Sequence, residues 1–96
     1  MVLVSVVMAN WNGLPHLQRC LDAVFAQTYP EIEVVVVDNG STDGSRELIR
    51  SNYPRASLLE NRVNLGFCIA SNQAIRASRG PLVLTMNTDV FLDRDF

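Results

Sequence analysis

Residues 32–37 read Ile-Glu-Val-Val-Val-Val and run straight into Asp38-Asn39-Gly40-Ser41. β-Branched side chains are stiff about χ1 and crowd a helix, but they pack well on a pleated surface. A strand with one wet face alternates apolar and polar residues. A run apolar on both faces belongs to a strand covered from both sides, as in a parallel sheet. The Asp-Asn-Gly-Ser that follows is turn chemistry and stops the strand abruptly.

Three more runs of this kind are present: 3–8, a weaker one at 56–60, and 81–86. Helical patterns fill the intervals. Leu14, Leu17, Leu21, Val24 and Phe25 recur at helical spacing, with Pro15 near the start, where its missing N–H costs little, and Thr28-Tyr29-Pro30 closing the segment. Asp43 is the expected N-cap of a helix over 44–52, with Leu48 and Ile49 inward and Pro54 closing it. A third helix fits 67–78 and stops at Arg79-Gly80. The order is βαβαβαβ, which predicts an α/β fold: a parallel sheet with helices on both faces and right-handed crossovers.

The 96 residues suffice for one small domain, 1–96, with no internal repeat, low-complexity segment or linker. The tail 91–96 is too short to complete another element, and an uncovered sheet edge is a liability. The fold therefore reads as truncated, and the chain is expected to continue.

Composition removes several function classes. Net charge is −2, and the eight basic residues, all Arg, are scattered, so no groove for a nucleic-acid backbone is expected. The absence of lysine excludes a phosphate-loop NTPase and argues against a response-regulator receiver. Asn12-Gly13 after the first strand does not supply the Gly-x-Gly-x-x-Gly of a dinucleotide-binding turn. Cys20 and Cys68 lack metal or redox spacing and read as reduced thiols in or near the core. The N-terminus has no basic stretch before its apolar run, and no run approaches the ~20 apolar residues of a membrane span. The expected location is cytoplasmic, at most at the membrane periphery. The single histidine, His16, is expected to be exposed.

In an open parallel sheet, ligands bind beyond the carboxyl ends of the strands, near the switch in strand order. Three such ends here are polar: Ala9-Asn10-Trp11-Asn12-Gly13, Asp38-Asn39-Gly40-Ser41-Thr42-Asp43 and Asn87-Thr88-Asp89. If strands one and four are neighbours, these loops converge on one cleft. Asp38 can accept hydrogen bonds from a base or ribose. Trp11 offers a face for a heterocycle. Asn87 and Asp89 carry hard oxygen donors of the kind Mg2+ or Mn2+ takes while bridging a diphosphate. Each residue also has a plainer reading. In that reading Asp38 only shapes a turn, Trp11 packs, Asp89 caps a helix or faces water, and the glycosylation pattern Asn39-Gly40-Ser41 is expected to be chance.

The combination resembles the nucleotide-binding half of family-2 glycosyltransferases with the GT-A, Rossmann-like fold, over nearly all of the chain. The matching segments are Val4-Ser5-Val6-Val7 leading to Asn10-Trp11-Asn12-Gly13, the turn Ala26-Gln27-Thr28-Tyr29-Pro30, Asn64-Leu65-Gly66-Phe67 with Asn72, and Asn87-Thr88-Asp89. The most specific is the string from Glu33 through Asp38-Asn39-Gly40-Ser41-Thr42-Asp43-Gly44 to Ser45. The resemblance implies transfer of a sugar from a nucleotide-diphosphate-sugar, uridine- or thymidine-linked, to a glycan or other hydroxyl acceptor. It also implies residue roles. Ala9, Asn10 and Trp11 would line the nucleoside pocket, Asp38 and Asn39 would hold the base, and Gly66 and Asn72 would lie near the sugar and diphosphate. Asp89 would bind the divalent metal, with Asn87 replacing the family's first acidic residue. Cys68 and Ile69 stand where the family more often has smaller residues. The family's acceptor half and catalytic base have no counterpart in these residues, so no catalytic residue is assigned. The competing expectation is a degenerate or non-catalytic fragment that binds a nucleotide.

Overall fold

The computed structural model describes residues 2–88. Its elements are β1 (Val4–Asn10), α1 (Leu14–Phe25), β2 (Ile32–Asn39), α2 (Ser45–Asn52), β3 (Ser57–Asn61), α3 (Phe67–Ala77) and β4 (Leu82–Thr85). The strands form one sheet in the order β3-β2-β1-β4, and every adjacent pair is parallel. β1, β2 and β3 step in one direction, after which the chain returns to place β4 on the far side of β1. With right-handed crossovers, that reversal puts α3 on the opposite face from α1 and α2.

The two faces of β1 and β2 carry separate cores. Val6, Met8, Val34 and Val36 pack with Leu17, Cys20, Leu21 and Val24 of α1, with Ile49 of α2 and with Tyr53. The alternate residues Val7, Val35 and Val37 pack under Ala70 and Ala74 of α3. The unbroken apolar run of β2 follows from its central, doubly covered position. Tyr53 stacks against Phe25 with centroids 6.0 Å apart and donates its hydroxyl to Asp22 Oδ1 at 2.6 Å. Burial, reinforced by that hydrogen bond and the Asp22 charge, pushes the Tyr53 phenol well above its usual range.

The amino ends of the strands are tied together by Glu33. Its Oε2 accepts the Ser5 hydroxyl (2.6 Å) and the Arg79 amide (2.8 Å), and its Oε1 accepts Arg79 Nε (2.8 Å). Ser5 Oγ in turn accepts the Gly80 amide at 2.8 Å. A side chain at Gly80 would begin 2.7 Å from Leu3 O and Ser5 Oγ, so only glycine lets the α3–β4 turn approach β1 this closely. Burial raises the Glu33 carboxyl, but the Ser5 and Arg79 hydrogen bonds and the Arg79 charge outweigh it and hold the group below its usual value.

Two expectations are corrected. Of the cysteines, Cys20 is buried but Cys68 is exposed at the start of α3. Asp43 is not the N-cap of α2. The helix begins at Ser45 behind Gly44, whose φ of 93° is the left-handed conformation glycine tolerates. Asp43 acts one residue earlier and on two helices, as the candidate site makes clear. The end of α1 at Phe25 and of α3 at Ala77, and the exposure of His16, agree with expectation.

Candidate functional site

Parallel pairing aligns the carboxyl ends of three strands. Asn10 lies opposite Asp38, Asp38 opposite Glu60, and Asn39 opposite Asn61. β4 pairs on the other flank of β1, with Val7 opposite Thr85, and extends towards Asn87 and Thr88. The switch in strand order therefore lies between β1 and β4, where Thr88 comes close to Gly13 of the β1 loop.

The first two loops are cross-linked by a closed set of hydrogen bonds. Asp38 has no solvent exposure. Its Oδ1 accepts Asn10 Nδ2 (3.0 Å) and the Ser41 hydroxyl (2.7 Å), and its Oδ2 accepts the Ser41 amide (2.9 Å). Arg46 Nε stands 3.8 Å from Oδ2 and so offsets the buried charge. The same Arg46 lies 3.7 Å from Glu60, which also pairs with Arg50. Ser41 Oγ accepts the Asn12 amide (2.9 Å), while Asn12 Oδ1 accepts the Thr42 amide (2.9 Å).

Asp43 completes this brace. Its Oδ2 accepts the first amide of α1, Leu14 N, at 2.9 Å, and its Oδ1 accepts the amide (3.0 Å) and hydroxyl (2.5 Å) of Ser45, the first residue of α2. One carboxylate thus satisfies the orphan donors and positive ends of two helices whose own N-cap residues are glycines. Burial raises the Asp43 carboxyl, and the Ser45 and Leu14 hydrogen bonds more than reverse that, holding it below its usual value.

Asn39 braces the loop between β3 and α3. Its Oδ1 accepts the Leu65 amide (2.9 Å) and Asn61 Nδ2 (3.2 Å); its Nδ2 donates to Asn64 Oδ1 (2.9 Å) and Gly66 O (3.2 Å). The Gly66 amide also donates to Asn64 Oδ1 at 2.8 Å. Backbone amides can only donate, so both side-chain amides have fixed orientations, and the Asn64 NH2 group is the one left to face outward. Gly40, with φ 83°, permits the contact between loops: a side chain there would begin 2.8 Å from the Val63 backbone.

A hollow of about 100 Å³ opens between these loops, lined by Ala9, Asn10, Trp11, Asn39, Asn64 and Phe67. Trp11 is 57% exposed and Phe67 55%, so neither ring is a packing residue. A larger groove of about 320 Å³ runs beside β4, lined by apolar residues such as Val4, Ile32, Leu82 and Leu84. Its polar lining residues, Gln27 and Tyr29, donate to the Ala23 and Val2 carbonyls, and the smaller hollow at the strand ends, where Asn10, Asn39 and Asn64 meet, is the better candidate.

Of the residues singled out from sequence, Ala9, Asn10, Trp11 and Asn39 line the hollow. Asp38 lies beneath it and faces inward. Gly66, with φ 90°, accepts Asn39 Nδ2 through its carbonyl oxygen and is not among the lining residues. Asn72 is exposed on α3 and is not among the lining residues. Asn87 is exposed beyond β4; Asp89 lies outside the described residues. Among the described residues, no three His, Cys, Asp or Glu side chains cluster as a metal site. No described helix is long and apolar enough to cross a membrane. Sequence reasoning passed over Asn64 and Phe67 as lining residues. The available signal was Asn64 two residues before Gly66, an Asx-turn spacing that fixes a loop.

Known proteins resemble this chain in sequence and fold. The family model described as glycosyl transferase family 2 matches residues 5–96. Glycosyltransferase AglE of Haloferax volcanii is 37% identical over 91 residues, covering 90% of this chain and 30% of its own. Chondroitin synthase of Escherichia coli is 32% identical over 96 residues, covering 97% of this chain and 14% of its own. Among solved structures, the mannosyltransferase PcManGT from Pyrobaculum calidifontis, in complex with GDP-Man and Mn2+, superposes with TM-score 0.87 at 32% identity, over 94% of this chain and 28% of that one. The S. aureus TarS structure with UDP-GlcNAc gives TM-score 0.88 at 26% identity, over 96% and 28%. The chain thus spans less than a third of these relatives. A family match over nearly the whole chain, on a parallel α/β fold shared with these structures, has one consequence: the chain belongs to glycosyl transferase family 2.

Proposed function

We propose that this chain supplies the donor-binding half of a glycosyltransferase that moves a sugar from a nucleotide-diphosphate-sugar to a hydroxyl acceptor. The observation that carries this reading is the hollow over the carboxyl ends of β1 and β2, bordered by two exposed aromatic rings and lined by fixed side-chain amides. A nucleoside base suits that chemistry: its faces stack on Trp11 and its polar edge meets the outward NH2 of Asn64. Asp38 and Asn39 hold the base site by ordering the loops that form it. Gly66 and Asn72 flank the path of the sugar and diphosphate, where a glycine allows close approach.

Asn87 and Asp89 would hold a divalent cation at the end of β4. An amide oxygen and a carboxylate are hard donors, and Mg2+ or Mn2+ is commonly held by one or two protein ligands with phosphates and water completing the shell. When bound, the cation would neutralise charge on the departing nucleotide. The relatives bound to UDP-GlcNAc and to GDP-Man with Mn2+ support both parts of the reading. UDP- or dTDP-sugars are the proposed donors. Acceptor binding and turnover belong to the whole protein, of which the relatives' greater length makes this chain a part.

Trp11→Ala tests the stacking role. UDP affinity by calorimetry is expected to fall about tenfold, in line with 1–3 kcal/mol for a base–aromatic stack. An unchanged Kd in a folded variant would remove Trp11 from the site.

A further inference from the structure

Asn10 has no solvent exposure, and its amide has a fixed orientation. Nδ2 donates to Asp38 Oδ1 and to Ser41 Oγ (3.3 Å), and a carboxylate can only accept, so Oδ1 is turned away from β2. There it is buried without a hydrogen-bond donor among the described residues. Burying such an oxygen is costly unless a donor reaches it.

The neighbouring atoms identify a donor. A side chain at Gly13 would begin 2.3 Å from Asn10 Oδ1 and 2.8 Å from Thr88 Oγ1. Both oxygens therefore border one small space that only glycine leaves clear. Thr88 is half-buried just beyond β4, between Asn87 and Asp89.

We infer that Asn10 is a positioning residue whose side-chain carbonyl accepts the Thr88 hydroxyl in the nucleotide-loaded protein. The link ties the end of β4 to the loops of the nucleoside hollow. It rests on the reading that Asn87 and Asp89 hold the cation. One buried amide then spans both halves of the donor site, with Asp38 and Ser41 on its nitrogen side and Thr88 on its oxygen side. Gly13 is required because any side chain would separate the pair.

Thr88→Val removes the proton donor at nearly constant shape, and Thr88→Ser keeps it. UDP titrations with and without Mn2+ should show the Val variant losing about tenfold of the Mn2+-dependent gain, with metal-free UDP affinity unchanged and the Ser variant retaining the gain. An undiminished gain in Thr88→Val would overturn the inference, as would an equal loss with and without metal, which marks a merely structural role. A wild-type chain with no Mn2+ gain contradicts the cation reading instead. The link is then read from thermal unfolding in UDP, using Asn10→Ser, Thr88→Val and the double variant. Additive losses overturn it; a double variant no less stable than Asn10→Ser alone supports it.

Discussion

Asp38 carries a charge at a position without solvent exposure, and four groups answer it: the Ser41 amide and hydroxyl, the Asn10 amide and, farther off, the Arg46 guanidinium. Removing one partner of such a set leaves the others unsatisfied, which costs more than the lost bonds alone. Asp38→Ala is therefore expected to lower stability by about 3 kcal/mol and to weaken UDP binding with or without metal. Asp38→Asn keeps the size but sets an NH2 group against one of these donors, so it should cost less stability than Asp38→Ala and weaken UDP binding through the same loops. Chemical denaturation and calorimetry on both variants check this, and wild-type UDP affinity in a folded Asp38→Ala would contradict the assigned role. In the sequence Asp38 carried two readings, an acid that accepts from a base or ribose and an acid that shapes the turn after β2. Its inward direction was not legible there. That follows from Asn10 and Ser41 arriving beside it, 28 residues before and three after, through register and turn geometry.

At the scale of elements, the alternation of β-branched runs and helical spacing sufficed for βαβαβαβ, because every central strand had to be apolar on both faces. The caps were less legible. Asp43 sits where an N-cap belongs by sequence, yet it serves Leu14 from across the fold, a contact separated by 29 residues. Glu33, at the other pole, looked like an interruption of an apolar run and proves to fasten β1, β2 and the α3–β4 turn. Both carboxyls are held below their usual values in the folded chain. A depressed folded value contributes stability above the unfolded value of about 4 and loses it as pH falls through the folded value. Urea midpoints should therefore decline below pH 4. Glu33→Gln should cost about 1.5–3 kcal/mol at pH 7, and the gap from wild type should narrow towards pH 3. A gap constant across that range would show that Glu33 acts by shape alone.

At the scale of the molecule, the reversal in strand order does the functional work. Two chain segments that are distant in sequence, the β1 loop and the end of β4, become neighbours on one rim, while the β2 and β3 loops close the other side. Helices on both faces hold the strands from which these loops project. The family was legible from sequence because strand-end motifs are local. The hollow's lining was only partly legible, because Asn64 and Phe67 enter it through a loop whose path depends on the orientation of Asn39. The central claim is a preformed donor site completed by a cation. Calorimetric titration of the purified chain with UDP, in the presence and absence of Mn2+, tests it most directly. The account predicts saturable one-to-one binding that tightens on adding Mn2+; a folded chain that binds no UDP under either condition would contradict it.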